Sequence, residues 1–140
     1  MYLTILLKYI LQNITSFDNM PNECNNYITI KFNLQNDLED FEKDFFNNYE
    51  RGIHKRLSRK GTHGIIVGLC TPWKPDFEWL NKILEIYPTC WIKNDWNEEG
   101  GTAGVWVGYY ENGEKVIHQM EWPDLTIEDL CFLFGNDCLE

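Results

Sequence analysis

Asn112-Gly113 sits between two predicted strands, Ala103 to Tyr110 and Lys115 to Trp122. A type I′ turn needs positive φ at both central residues, and Asn-Gly accepts that conformation at little cost. The pair predicts a two-residue hairpin and makes the two segments antiparallel neighbours.

The rest of the chain alternates between strand and helix periods. Tyr27-Ile28-Thr29-Ile30-Lys31-Phe32 is alternating and β-branched, which predicts a strand. Asn36 then opens a predicted helix running to about Tyr49, with Leu38, Phe41, Phe45 and Tyr49 spaced by three and four. Asp37, Glu39 and Asp40 fall in its first turn, where the helix dipole favours negative charge. His63 to Cys70 predicts a second strand, whose run Ile65-Ile66-Val67 suits cover on both faces. Thr71-Pro72-Trp73-Lys74-Pro75 is a rigid connector, and Pro75 suits the first helical position. The next helix carries Phe77, Leu80, Ile83, Leu84 and Tyr87 on one face and stops at Pro88. Thr89 to Trp96 is a third strand, followed by a turn or bulge at Glu98-Glu99-Gly100-Gly101. Thr126 caps a last short helix with Leu130, Leu133 and Phe134 inward. The order β-α-β-α-β-β-β-α predicts an α+β domain, with a mixed or antiparallel sheet and helices packed on one face.

A chain of 140 residues is one domain's worth, and 44% hydrophobic with 15% aromatic residues is a globular composition. The formal charge of −10 argues against a DNA- or membrane-binding surface as the default. The charge is uneven, because Arg51, Lys55, Arg56, Arg59 and Lys60 cluster with no acid among them. That run reads as a solvated loop between elements, as a segment contacting nucleic acid phosphates with His54 and His63 at its flanks, or as a contact for an acidic partner. The cysteines, at 24, 70, 90, 131 and 138, are odd in number and form no C-x-x-C pair, so no zinc or disulfide framework follows. Reduced, mostly buried thiols in a cytoplasmic protein are expected.

Residues 1–19 differ from the rest. Leu3, Leu6, Leu7, Ile10 and Leu11 fit a helical face, but the apolar stretch is too short and interrupted to span a membrane. It lacks the basic flank and cleavage site of a signal peptide. The readings left are an amphipathic helix on the domain, a partner-binding helix, or sequence upstream of a misplaced start.

Met20-Pro21-Asn22-Glu23-Cys24-Asn25-Asn26 resembles the start of the YubB-type proteins of plasmids, phages and related mobile elements, which typically read Met-Pro-Asn-Trp-Cys-Glu-Asn. Thr71-Pro72-Trp73-Lys74-Pro75, Tyr87-Pro88, Asp95-Trp96-Asn97-Glu98-Glu99-Gly100-Gly101 and Ala103-Gly104-Val105 agree in order with family motifs over about residues 20–123. Glu23 replaces the usual Trp, and the middle section is short. The resemblance implies a ferredoxin-like fold, a mobile-element setting and no particular activity. It favours a start at Met20, making residues 1–19 an extension of a single domain, 20–140.

Candidate sites follow from residue type. Asp95, Glu98 and Glu99 beside Gly100-Gly101 suit a divalent metal or acid–base chemistry, and equally a charged, bulged hairpin. His118 lies mid-strand near Glu121 as a proton-transfer group or a structural histidine. Trp73, Trp79, Trp91, Trp96, Trp106 and Trp122 are more than one small core easily hides, and alternation sets Trp91 opposite Cys90 and Ile92. The binding candidates are Trp73, Trp91, Trp96, Glu98, Glu99, Arg56, Arg59 and Lys60. The expected function is a small acidic, non-enzymatic interaction protein of a mobile genetic element. A protein partner comes first, nucleic acid through 51–60 second, with no membrane and no cofactor. The alternative is a small metal-dependent hydrolase or nuclease-like enzyme built on Asp95, Glu98, Glu99 and His118.

Overall fold

The computed structural model describes Thr4 and residues 22–122. The predicted C-terminal helix, the expectations for residues 1–19, and Cys131 and Cys138 lie outside the described residues. The elements are β1 (Glu23–Lys31), α1 (Gln35–Asn47), β2 (Ile53–Lys60), β3 (Gly64–Pro72), α2 (Phe77–Ile86), β4 (Trp91–Glu98), β5 (Ala103–Glu111) and β6 (Glu114–Glu121).

They form one six-stranded sheet in the order β2-β3-β1-β4-β5-β6, antiparallel at every pairing. This corrects the ferredoxin-like expectation, a β-α-β-β-α-β pattern with four strands, and leaves no mixed sheet. The physical reason lies beyond β4. The turn at 98–102 folds β5 back onto the free side of β4, and the Asn112-Gly113 turn then adds β6 beside β5. Both residues of that turn have positive φ, 51° and 80°, as a type I′ turn requires.

A second correction concerns the basic run. Ile53–Lys60 is a strand at the sheet edge, not a loop. Charged side chains and bulges are what natural edges use to refuse further pairing, so an edge strand carries little apolar alternation.

The even-numbered residues of β1 point to the helices. Ile28 and Ile30 pair with Val67 and Ile65 on one side and with Asn94 and Ile92 on the other. These join Leu38, Phe41 and Phe45 of α1, Leu80, Ile83 and Leu84 of α2, and Trp106 in one buried cluster. Truncating a fully buried aromatic such as Phe45 to Ala should cost about 3–5 kcal/mol. Trp79 stacks on Phe45 (centroids 5.8 Å apart) and on Tyr49 (4.0 Å), tying the helices together. The α1 terminus is closed by Lys55, whose ammonium donates to the carbonyls of Phe45 (2.8 Å), Phe46 (3.2 Å) and Tyr49 (2.7 Å). These are the orphan acceptors of a helix end, and a cation there also suits the dipole.

Candidate functional site

The sheet's other face carries no helix among the described residues, and its two halves differ. On the β5 side Val105 and Val107 are buried, at 0% and 2% exposure. On the β2-β3-β1 side the side chains are open, and Tyr27 is 43% exposed. Strand register sets out the open half. Arg56 pairs with Gly68, and Gly68 with Tyr27. Arg59 pairs with Ile66, and Ile66 with Thr29. Lys31 pairs with Gly64 on one side and with Trp91 of β4 on the other. Exposed cations and exposed rings therefore share one surface.

Arg56 and Arg59 are three residues apart and would face opposite sides of a regular strand. A register shift between Leu57 and Arg59 inserts one extra residue and turns both to the open face. The Arg56 guanidinium lies over the bare backbone of Gly68, where an added Cβ would stand 2.6 Å from its Cζ. Ser58, the extra residue, lies 3.2 Å from the Tyr27 hydroxyl and fixes the ring's outer end. Among the described residues Arg56, Arg59 and Lys31 make no ion pair. The acids gather elsewhere, with Asp37, Glu39, Asp40, Glu42 and Asp44 all on α1.

Of the residues singled out from sequence, Arg56, Arg59 and Trp91 meet here. Trp91 is 36% exposed. Lys60 lies on the helix side and pairs with Glu42 at 2.6 Å. Trp96 is buried, its indole lying across Gly104. Trp73 is 56% exposed in the β3–α2 connector at φ 65°, its N–H held by the Asn22 carbonyl at 2.8 Å. Sequence reasoning passed over Tyr27 and Lys31, although the alternation of 27–32 already set them on one face.

The acidic turn is dispersed. Asp95 sits on the open face beside Lys93, 3.3 Å away. Glu98 accepts the Gly100 N–H at 2.9 Å, which together with the Asn22 side chain holds its carboxyl below the usual range. Odd and even positions of a strand face opposite ways, so Asp95 and Glu98 do not converge. His118 pairs with Val107 of β5 and so lies on β6, three strands along from β1 and at the far edge of the sheet. Among the described residues no group of three His, Cys, Asp or Glu side chains stands close enough to hold a metal ion. A recess of about 190 Å³ lined by Arg51, Cys70 and Pro72 is smaller than ordinary ligand pockets, roughly 300–1,000 Å³. Burial pushes the Cys24 thiol up to about 11 and Cys90 to about 12, which makes both poor nucleophiles.

No protein-family model, curated protein or solved structure matches the chain. Among the described residues no helix is long and apolar enough to cross a membrane.

Proposed function

We propose that this protein is a non-enzymatic binding module, set in a mobile genetic element as its YubB-like motifs suggest, and that it engages a macromolecule through the open half of its sheet. One observation carries the reading. Arg56, Arg59 and Lys31 stand exposed and, among the described residues, without counter-ions beside Tyr27 and Trp91, in a chain whose net charge is −10. A like-charged group of cations costs stability, so its concentration on one surface of an acidic protein favours a use in recognition. Exposed rings among cations are also the composition of interface anchors.

The test compares the wild-type chain with Arg56→Glu/Arg59→Glu and with a Lys82→Glu control on α2. Each is immobilised and exposed to cell extract, and both protein and nucleic acid are eluted. The expected result is a retained species lost only with the double variant. Retention that survives the double variant, or no retention by the wild type, overturns the proposal.

A further inference from the structure

Resting on that reading of the open face, we infer that its partner is single-stranded nucleic acid, with phosphates on Arg56, Arg59 and Lys31 and bases stacked on Tyr27 and Trp91. Single strands are held by two features together, a basic track for the backbone and exposed rings for the unpaired bases. Both are present here on one surface.

The geometry favours a single strand over the other polyanions. The cations flank the rings on two sides, with Arg56 and Arg59 on the β2 margin and Lys31 directly opposite Trp91. Tyr27 and Trp91 are on neighbouring strands, offset by four residues along them, which at about 3.4 Å per residue separates the rings by roughly 14 Å. They are two distinct stacking places and not one aromatic patch. Between them and β2 the sheet offers Gly64, Ile66 and Gly68, so the surface is shallow and flat planes can approach. A duplex hides its base faces and would use only the cations. An acidic protein would use the cations and bury the same rings as anchors, but two rings roughly 14 Å apart offer it no single aromatic patch. Charge complementarity holds locally, because the acids of α1 belong to the helix side of the sheet and Asp95, the acid opposite Tyr27 on the open face, is paired with Lys93 at 3.3 Å.

The probe is a fluorescently labelled 12-nucleotide single strand, oligo-rU or oligo-dT, read by anisotropy at low salt. Its length falls within the roughly 4–16 nucleotides typical of such grooves. A duplex of the same length and poly-glutamate serve as competitors. The expected result is saturable binding of the single strand, with the duplex at least about tenfold weaker and poly-glutamate weaker still. Tyr27→Ala and Trp91→Ala should each weaken binding about tenfold and leave the salt dependence unchanged. Arg56→Glu/Arg59→Glu should abolish binding. Arg59→Gln should weaken it and lower the slope of log affinity against log salt by about 0.7. Thermal melts establish that each variant is folded, and Trp91→Phe, which keeps a ring, should restore most of the affinity.

Three outcomes overturn the inference alone: no binding of either oligonucleotide, equal binding of the duplex with the ring variants silent, or preferential binding of poly-glutamate. The last leaves the open face as a binding surface for an acidic protein. Oligonucleotide binding unaffected by any variant on the face would overturn this inference and the reading beneath it together.

Discussion

Tyr49 donates its hydroxyl to Asp76 Oδ2 at 2.8 Å, while Oδ1 of the same carboxylate accepts the Trp79 N–H at 3.1 Å. One side chain thus caps α2 and anchors the end of α1. Tyr49→Phe removes a donor to a charged acceptor and should cost about 1.5–3 kcal/mol. Urea denaturation measures it, and an unchanged midpoint would show that the hydroxyl contributes nothing.

The same contact predicts an alkaline limit. Burial first, then Asp76 as acceptor and charge, raises the Tyr49 pKa above its ordinary 10.0. A folded-state pKa above the unfolded one gives stability that is whole below pH 10 and is lost as pH rises past it. Burial raises Tyr87, Cys24 and Cys90 as well, so the wild-type chain should lose melting temperature above about pH 9. The loss should be smaller in Tyr49→Phe, and parallel pH profiles for the two proteins would contradict this.

Three glycines separate strain from function. Gly113→Val puts a β-branched residue at φ 80° and should destabilise by about 1 kcal/mol or more. Gly104→Ala sets a Cβ 2.5 Å from the Met120 carbonyl oxygen, a backbone atom, and should cost about 1–3 kcal/mol. In Gly68→Ala the three atoms nearest the new Cβ all belong to the flexible end of Arg56, so the melt should barely move while the guanidinium is displaced and binding on the open face falls. A large loss of stability in Gly68→Ala would show that the Arg56 position is needed for folding.

Thiol chemistry gives another check. Cys24 and Cys90 are buried, at 0% and 2% exposure, with raised pKa values. Iodoacetamide followed by peptide mapping should label neither in the native protein and both in urea. Rapid native labelling of Cys90 would mean that the cluster under α2 opens readily.

Metal ions test the enzymatic alternative. With Asp95 and Glu98 on opposite faces, millimolar Mg²⁺, Mn²⁺ or Ca²⁺ should leave the melting temperature unchanged. A rise abolished by Glu98→Gln with Glu99→Gln would revive the acidic turn as a metal site.

Where period and turn chemistry dominate, the sequence was readable. Ile28 and Ile30 announced β1, Leu38, Phe41 and Phe45 announced α1, and Asn112-Gly113 announced its hairpin. Strand β2 was not legible, because its burial pattern has no alternation: the successive residues Arg56, Leu57, Ser58 and Arg59 are all exposed. Its bulges break the period that would have revealed it and also bring Arg56 and Arg59 together. Half of the candidate site was therefore visible only as a run of charge. Nor does sequence distance show that Tyr27 and Trp91 share a surface, since β1 and β4 become neighbours only through the sheet order. The buried pair Asn94 and Asn26, joined at 2.9 Å, was likewise hidden in strands that read as ordinary.

The position of β1 sets a schedule for folding. It is the first strand of the sheet in sequence, yet it lies between β3 and β4, and its partner Glu98 ends β4. On a ribosome, the strand carrying Ile28 and Ile30 must wait until most of the domain has emerged before both its edges are closed. Long-range pairing of this kind is slow and leaves apolar strands open to association in the interval. Chains cut short before Glu98 should accumulate as insoluble material, and slower synthesis at low temperature should raise the yield of the whole domain.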